Sequence, residues 1–261
     1  MKITKTPSAP CWVDLSTPDT DAARLFYEGL FGWRSEVVPD SRAGGYGMFR
    51  GPGDALVGGV GVLRDPKQPA AWLPYFQSSG IDAVVARVKG NGGSVAAGPT
   101  DVMEQGQLAV CQDPSGAAFG LWQPVNHPGF GVVNEPVSFC WFELVTHDPD
   151  GAEDFYQSVL GWGARRRTLG AGEYTEWSVD DEPFGGMLDT ASASFPEDVP
   201  ARWTVYLAVA DTDATAARCG ELGGRVLVHP TTIEPGRFAV LADAWGASFA
   251  VIAYGAGAGA G

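Results

Sequence analysis

The chain has 261 residues, of which 45% are hydrophobic and 18% charged, a composition typical of a globular protein with room for two compact domains. Its net charge is −14, from 31 acidic and 17 basic residues, which disfavours nucleic acid as a partner because phosphate binding needs surfaces rich in Lys and Arg. No apolar run reaches the roughly 20 residues of a membrane span, and the first residues lack the apolar core of a signal peptide. Four cysteines without close pairing suggest reduced thiols. We therefore expect a cytoplasmic protein with no membrane partner.

The first elements form a strand, a helix and a meander. Residues 11–17 alternate apolar and polar side chains, which predicts a strand, and residues 17–21 then supply turn and N-cap chemistry. A helix with one apolar stripe follows and stops at Gly32. Three short segments rich in Gly and apolar residues predict further strands, around 33–38, 45–50 and 54–63.

The same order then restarts. Residues 71–77 predict a strand, and apolar residues at helical spacing from Ile81 to Val88 predict a helix that ends at Gly92-Gly93. Three more short strands are predicted near 94–97, 106–112 and 117–123. One half of the chain is therefore strand, helix and three strands, twice over.

The second half repeats the first about 130 residues later. Phe26-Tyr27 returns as Phe155-Tyr156, Gly92-Gly93 as Gly223-Gly224, and the turn at Asp113 as the turn at Asp243. This period is too long for a solenoid, whose units run roughly 20–50 residues, so it indicates a duplicated domain.

The repeat fixes the predicted boundaries. We predict a first module over 1–123, a linker rich in Pro, Gly and Asn over 124–137, a second module over 138–254 and a flexible Gly/Ala tail over 255–261. The basic cluster at 165–167 is explained by a solvated strand edge at least as well as by a phosphate site.

These features resemble the vicinal oxygen chelate superfamily, which includes glyoxalase I, extradiol dioxygenases, fosfomycin-modifying enzymes and the bleomycin-resistance binding proteins. The resemblance rests on the βαβββ order, Phe26-Tyr27, Gly92-Gly93 and the turn 113–116, and it extends over nearly the whole chain. The pattern looks most similar to tandem glyoxalase-like proteins of actinobacteria. It implies an α+β fold in which four βαβββ units form two tandem modules with cupped mixed sheets and a ligand site on each concave face.

The resemblance also implies where a divalent metal would be bound. Aligned on the shared motifs, the usual ligand positions hold Trp12, Leu73 and Gly120 in the first module. In the second module they hold Trp141, Thr204 and Ala250. None of these is a credible ligand, so we expect no metal and no cofactor at the usual site.

Histidines offer no substitute ligand set. His127, His147 and His229 occupy unmatched positions in the repeat, and we expect all three to face solvent from loops. Cys11 and Cys140 are expected to pack in the core beside Val13 and Phe142 rather than to act as nucleophiles.

Each predicted concave face instead carries an indole, a carboxylate and a phenol, because side chains two apart on a strand share a face. The candidate acid/base residues are Asp14, Glu143, Tyr75 and Tyr206. The candidate ligand-contacting residues are Trp12, Trp141, Gln77, Gln107, Trp122 and Arg237. An alternative interpretation is equally open. In it the two Trp side chains only fill the core, and the two carboxylates are solvated or cap helices.

Two functions fit this pattern. The favoured one is a metal-independent protein of the bleomycin-resistance type that binds an aromatic natural product or metabolite for sequestration, resistance or secondary metabolism. The alternative is a glyoxalase-like lyase or hydroxylase-like enzyme with Asp14 or Glu143 as acid/base. In either case we expect a small-molecule ligand and a pseudo-twofold monomer, with a homodimer left open.

Overall fold

The computed structural model describes residues 6–169, 172–191 and 199–255. The predicted flexible tail lies outside the described residues from position 256 onward, as do the first five residues. In the part of the chain that the structure describes, no helix has the length and apolar character needed to cross a bilayer.

The described residues of the first module form eight strands and two α-helices, with two short 3-10 helices at Ser41–Ala43 and Pro52–Asp54. The strands and α-helices are β1 (Pro10–Thr17), α1 (Thr20–Phe31), β2 (Arg34–Val37), β3 (Gly47–Arg50), β4 (Leu56–Val62), β5 (Ala71–Gln77), α2 (Ile81–Gly90), β6 (Ser94–Val102), β7 (Gly106–Gln112) and β8 (Ala118–Pro124). The strands form one mixed sheet in the order β2-β3-β4-β1-β5-β8-β7-β6. Within each βαβββ unit the first strand pairs parallel with the last, and β1 joins the two units by pairing antiparallel with β5.

The second module repeats this arrangement. Its elements are β9 (Phe139–Thr146), α3 (Pro149–Leu160), β10 (Gly163–Leu169), β11 (Gly172–Val179), β12 (Glu182–Asp189), β13 (Arg202–Ala208), α4 (Thr212–Glu221), β14 (Arg225–Ile233), β15 (Gly236–Ala242) and β16 (Ser248–Tyr254). The strand order, β10-β11-β12-β9-β13-β16-β15-β14, matches that of the first sheet element by element. The predicted fold of two tandem modules is therefore confirmed.

Matched caps delimit the first helix of each module. The Asp19 carboxylate accepts a hydrogen bond from the N–H of Ala22 at the start of α1, and the Asp148 carboxylate accepts one from Gly151 at the start of α3. Gly32 ends α1 with a φ of 69°, a left-handed conformation that glycine adopts without steric cost. The helix stop predicted at Gly32 follows from this geometry.

One predicted strand was too short. β6 extends to Val102, whereas the sequence pattern ends near 97. The interruption at Gly98-Pro99 falls within a register shift between Ala97 and Thr100, after which pairing with β7 resumes.

The helix-bearing faces of the two sheets share a single apolar core. Phe76 of the first module packs its ring 4.7 Å from that of Trp162 and 5.4 Å from that of Trp203 (centroid to centroid). The Trp33 indole donates to the Val137 carbonyl, and the Trp162 indole donates to the Ser8 carbonyl, each at 2.8 Å. The opposite face of each sheet, called here the open face, corresponds to the predicted concave side.

The basic cluster lies at a sheet edge. Arg165 and Arg166 belong to the edge strand β10 and form ion pairs with Glu176 and Glu153 at 3.0 and 2.9 Å. Arg167 lies 3.5 Å from the Glu176 carboxylate. These acidic neighbours satisfy the guanidinium groups, as expected for a strand edge.

Candidate functional site

The open face of the first sheet carries the first carboxylate cluster, made of Trp12, Asp14, Tyr46 and Tyr75. Residues directly opposed in an antiparallel pair point to the same face, and Trp12 opposes Tyr75 across β1 and β5. The Tyr46 hydroxyl donates to Asp14 Oδ1 at 2.6 Å, and the Trp12 indole donates to the same oxygen at 3.0 Å. The Tyr75 hydroxyl also hydrogen bonds to this carboxylate.

The second carboxylate cluster, made of Trp141, Glu143, Tyr174 and Tyr206, repeats this arrangement on the second sheet. Tyr206 donates to Glu143 Oε1 at 2.7 Å and Tyr174 donates to Oε2 at 3.3 Å. The Trp141 indole donates at 2.8 Å to the Tyr174 hydroxyl instead of to the carboxylate. Each Glu143 oxygen therefore has one phenolic donor.

Burial raises the pKa of both carboxyl groups, because desolvation disfavours the charged form. The pKa of Asp14 is raised, although hydrogen bonds from Tyr46, Trp12 and Tyr75 oppose the shift. The pKa of Glu143 rises to about 7, against the opposing effects of Tyr206, Tyr174 and the nearby Arg202. Glu143 is therefore poised to take up or release a proton near neutral pH.

Tyr46 and Tyr174 were not predicted from the sequence as site residues. Each reaches its carboxylate across a glycine, since methyl groups built on Gly59 and Gly186 would overlap the hydroxyls of Tyr46 and Tyr174. Gly59 pairs directly with Asp14, and Gly186 pairs with Glu143. These matched glycines are the signal in the sequence that could have indicated the two contacts, because a glycine within a strand marks a close approach of another group.

Gln77 and Trp122 lie on the expected face. They are paired residues of β5 and β8 on the open face, and both are buried. The Trp122 indole donates to the His127 carbonyl at 2.9 Å.

Gln107 and Arg237 do not lie where the sequence pattern placed them. Gln107 opposes Gln123, one residue out of phase with Trp122, and therefore faces the helices. Arg237 likewise faces α4, where its guanidinium pairs with Asp213 at 2.5 and 2.8 Å. The expectation that these two side chains line the concave faces is corrected by the strand register.

His127 is also placed differently from the prediction. Its side chain is buried against Trp12, with ring centroids 4.4 Å apart, whereas His147 and His229 are exposed as expected. Desolvation lowers the pKa of His127 to about 4.

The four cysteines are free and buried, and burial raises the pKa of both Cys11 and Cys140. Cys11 and Cys140 occupy matched bulges, between Pro10 and Trp12 and between Phe139 and Trp141. Cys140 packs in a cluster with Tyr206 and Ala250 rather than beside Phe142, which corrects its predicted direction. Thiols held neutral by burial are poor nucleophiles.

A cavity of about 430 Å³ opens at the turn between β6 and β7. Its lining includes Asp101, Met103, Glu104 and Val125. None of the residues of the carboxylate clusters contributes to it, so the cavity and the clusters are separate features.

The two-module fold, with its matched open faces, defines a class of protein. Residues 11–121 match the family model of the glyoxalase/bleomycin resistance protein/dioxygenase superfamily, and residues 141–252 match that of the glyoxalase-like domain. The chain belongs to this superfamily, the vicinal oxygen chelate group.

Relatives that match more than nine-tenths of the chain include proteins of Mycobacterium and Streptomyces. The chain is 38% identical over 248 residues to "Putative glyoxylase CFP32" of Mycobacterium tuberculosis (strain CDC 1551 / Oshkosh), covering 93% of this chain and 94% of the relative. It is 39% identical over 260 residues to the anthracycline biosynthesis protein DnrV of Streptomyces peucetius, covering 94% and 93%.

Solved structures share the fold at low sequence identity. One is a Mn(II)-bound glyoxalase from Novosphingobium aromaticivorans, with a TM-score of 0.66 and 17% identity over 95% of this chain and 82% of the other. Another is the 2,3-dioxygenase LapB from Pseudomonas sp. KL28, with a TM-score of 0.65 and 14% identity over 97% and 94%.

The residues at the predicted metal positions do not fit a divalent cation. The Trp12 indole is a hydrogen-bond donor already directed at Asp14, and the Tyr75 ring fills the space above Gly120. In the second module Ala250 offers no donor atom, and Thr204 offers only a neutral hydroxyl. Within the described ranges, no three His, Cys, Asp or Glu side chains converge at metal-binding distance.

Proposed function

We propose that the chain binds a planar aromatic small molecule on the open faces of its sheets, anchored through a buried carboxylate. The observation that carries this proposal is the matched pair of clusters, in which a carboxylate receives hydrogen bonds from Tyr and Trp side chains. A carboxylate oxygen with one phenolic donor keeps lone pairs for a ligand hydroxyl or amine. Indole and phenol rings beside it supply the flat apolar surface that an aromatic ligand needs.

Two further observations support an aromatic ligand. The net charge of −14 favours neutral or cationic molecules over acidic ones. DnrV and DauV, both 39% identical to this chain, are named for the biosynthesis of anthracyclines, which are planar aromatic compounds. We therefore infer a role in secondary metabolism, with an anthracycline as a suitable first probe.

The test is a fluorescence titration with doxorubicin at pH 8, following quenching of tryptophan emission. We expect saturable quenching, weakened about tenfold or more in Glu143→Gln, because hydrogen bonds to a charged group contribute about 1.5–3 kcal/mol. Glu28→Gln makes the same chemical change at an exposed site on α1 and should bind as the wild type does. Unsaturable quenching, or equal affinity in Glu143→Gln, would contradict the proposal.

An enzymatic function is supported by the hydrogen bond between Tyr206 and the buried carboxyl group of Glu143, whose pKa burial raises to about 7. A general acid/base is most effective when its pKa lies near the working pH, and Tyr206, 2.7 Å from Glu143 Oε1, could relay the proton. Incubation of the bound probe followed by mass analysis distinguishes the two functions. Conversion in the wild type that is lost in Glu143→Gln at saturating probe would show catalysis.

A further inference from the structure

The two carboxylate clusters are matched, but the chain around them is not. The linker is bound to the first sheet, where Phe130 N–H donates to the Cys11 carbonyl and Gly131 N–H donates to the Leu56 carbonyl, each at 2.8 Å. These bonds attach the linker directly to β1 and β4.

The linker places two rings on Trp12. His127 meets it edge-to-face at a centroid distance of 4.4 Å, and Phe130 lies 5.8 Å away. As a result Trp12 is only 4% exposed. Asp14 remains partly exposed, so the linker covers the indole end of the first cluster and not the carboxylate.

The His127 side chain is buried among aromatic rings. It is 8% exposed, its ring lies 5.7 Å from that of Trp122, and its Nε2 has no hydrogen-bond partner. A buried polar atom without a partner costs free energy, so ring contacts and the backbone hydrogen bonds of His127, not a bond from Nε2, hold the imidazole there.

In the second cluster the Arg167 guanidinium lies 5.5 Å from the centroid of the Tyr174 ring, but no ring from another segment covers Trp141 in the described part of the chain. Trp141 is half-buried, and among the described residues no aromatic ring is recorded in a stacked or edge contact with it. Ile252 is the second-module equivalent of Trp122. Ile252 opposes Phe238 in the second sheet, and Trp122 opposes Leu108 at the same register position in the first. An indole face is therefore available in the second module and occupied in the first.

An arginine acts electrostatically on each cluster, but Arg64 acts on Tyr75 in the first, whereas Arg202 acts on the carboxylate of Glu143 in the second. Arg202 opposes Val145 in the second module. The equivalent residue of the first module is Ala71, which opposes Ser16. The Arg202 guanidinium lies close enough to act electrostatically on Glu143. The second site thus combines a carboxylate, a nearby cation and an indole that no other ring covers among the described residues.

We propose that the second cluster is the ligand site. There an aromatic ring of the ligand packs against Trp141, and in the first cluster His127 occupies the equivalent position against Trp12. The ligand class is a planar aromatic molecule with a hydroxyl or amine directed at Glu143. This inference rests on the proposed function and adds that wild-type protein has one site, not two.

Binding stoichiometry tests the inference, with doxorubicin as the probe in isothermal titration calorimetry. We expect one site per chain in the wild type, one site of about tenfold lower affinity in Glu143→Gln, and two sites in His127→Ala, which uncovers Trp12. Val125→Ala alters an exposed residue of the same linker, 69% accessible, and should retain one site. Two sites in the wild type, or one in a folded His127→Ala, would overturn the inference.

A measurement without ligand separates the two proposals. Brief oxidation with N-bromosuccinimide, read by peptide mass spectrometry, should modify Trp141 and spare Trp12 in the wild type, whereas His127→Ala should expose Trp12. Equal oxidation of both indoles in the wild type would contradict closure of the first cluster. If doxorubicin binds to no variant, the proposed function fails, and the oxidation pattern still decides whether the linker closes the first cluster.

Discussion

Tyr27 of the first module donates a hydrogen bond to Asp243 of the second, with 3.2 Å between the phenol oxygen and Oδ2. The same bond, also 3.2 Å, joins Tyr156 to Asp113 in the opposite direction. Both carboxylates are buried in turns whose backbone N–H groups they also bind, at Ala247 and Ala117. The duplicated Phe-Tyr and Asp turn motifs thus connect the two modules to each other.

Tyr27→Phe should lower the free energy of unfolding by about 1–3 kcal/mol, because it removes the donor to Asp243 and the acceptor for the Trp72 indole, 2.9 Å away. Urea denaturation measures the loss. Tyr156→Phe breaks the equivalent contacts with Asp113 and Trp203 and should cost a similar amount. A change confined to one of the two variants would show that the modules do not share this interface equally.

Trp177→Phe should be tolerated better than Trp33→Phe, by about 1 kcal/mol or more in unfolding free energy. Both indoles are almost fully buried, but Trp177 Nε1 has no partner whereas Trp33 Nε1 donates to the Val137 carbonyl. Phe49 already occupies the first-module position equivalent to Trp177, as each opposes a glycine, Gly58 or Gly185. Chemical denaturation of the two variants side by side gives the answer, and a larger loss in Trp177→Phe would refute the prediction.

Gly59→Ala should destabilise the protein by about 1–3 kcal/mol, the usual cost of overpacking. The added methyl would overlap the Tyr46 hydroxyl and Asp14 Oδ1, so the hydrogen bond between them must break or move. Gly61→Ala is the matched control on the same strand, because the nearest atom to its methyl lies 3.5 Å away in the Tyr46 ring. Thermal melts should separate the two variants, and equal melting temperatures would argue against a packed Tyr46–Asp14 contact.

Glu143 should make the protein less stable as pH rises through 7. Its folded pKa of about 7 exceeds the value of 4.5 for an unperturbed Glu, so between these pH values the folded state binds more protons than the unfolded state. The stabilisation is fully present below pH 4.5 and is lost as the group ionises, in total about 3 kcal/mol at pH 8.

Glu143→Gln keeps the neutral shape and removes this titration. The unfolding free energy of the wild type minus that of the variant should fall from pH 4.5 to pH 8, as measured by urea denaturation at several pH values. The difference isolates Glu143 from Asp14, Asp113 and Asp243, whose pKa values are also raised by burial. A pH-independent difference would show that Glu143 titrates normally.

Much of the fold could be predicted from the sequence because its signals are local. Alternation along residues 11–17 places Trp12 and Asp14 on one face, and the same reasoning places Tyr75 beside them. Gly32 and the N-cap Asp19 delimit the first helix through contacts within four residues. The duplication then extends each of these inferences to the second module.

Side chains brought in from distant segments escaped prediction. Tyr46 meets Asp14 only after β3 and β4 have paired, and the face of Gln107 depends on a register that a one-residue slip reverses. His127 was expected in solvent because a linker carries no periodic pattern, yet backbone bonds to Cys11 and Leu56 hold its neighbours against the sheet.

The sequence by itself therefore determined the duplicated architecture and the indole, carboxylate and phenol of each cluster, because strand periodicity and capping act between neighbours in the chain. Only the tertiary structure decided that a second tyrosine completes each cluster and that His127 covers Trp12 in the first module. Tyr46 and Asp14 are 32 positions apart in the chain, and their contact depends on strand register. His127 and Trp12 are more than 100 positions apart, and their contact depends on the path of the linker. Neither the register nor the path is encoded in any local pattern of residues.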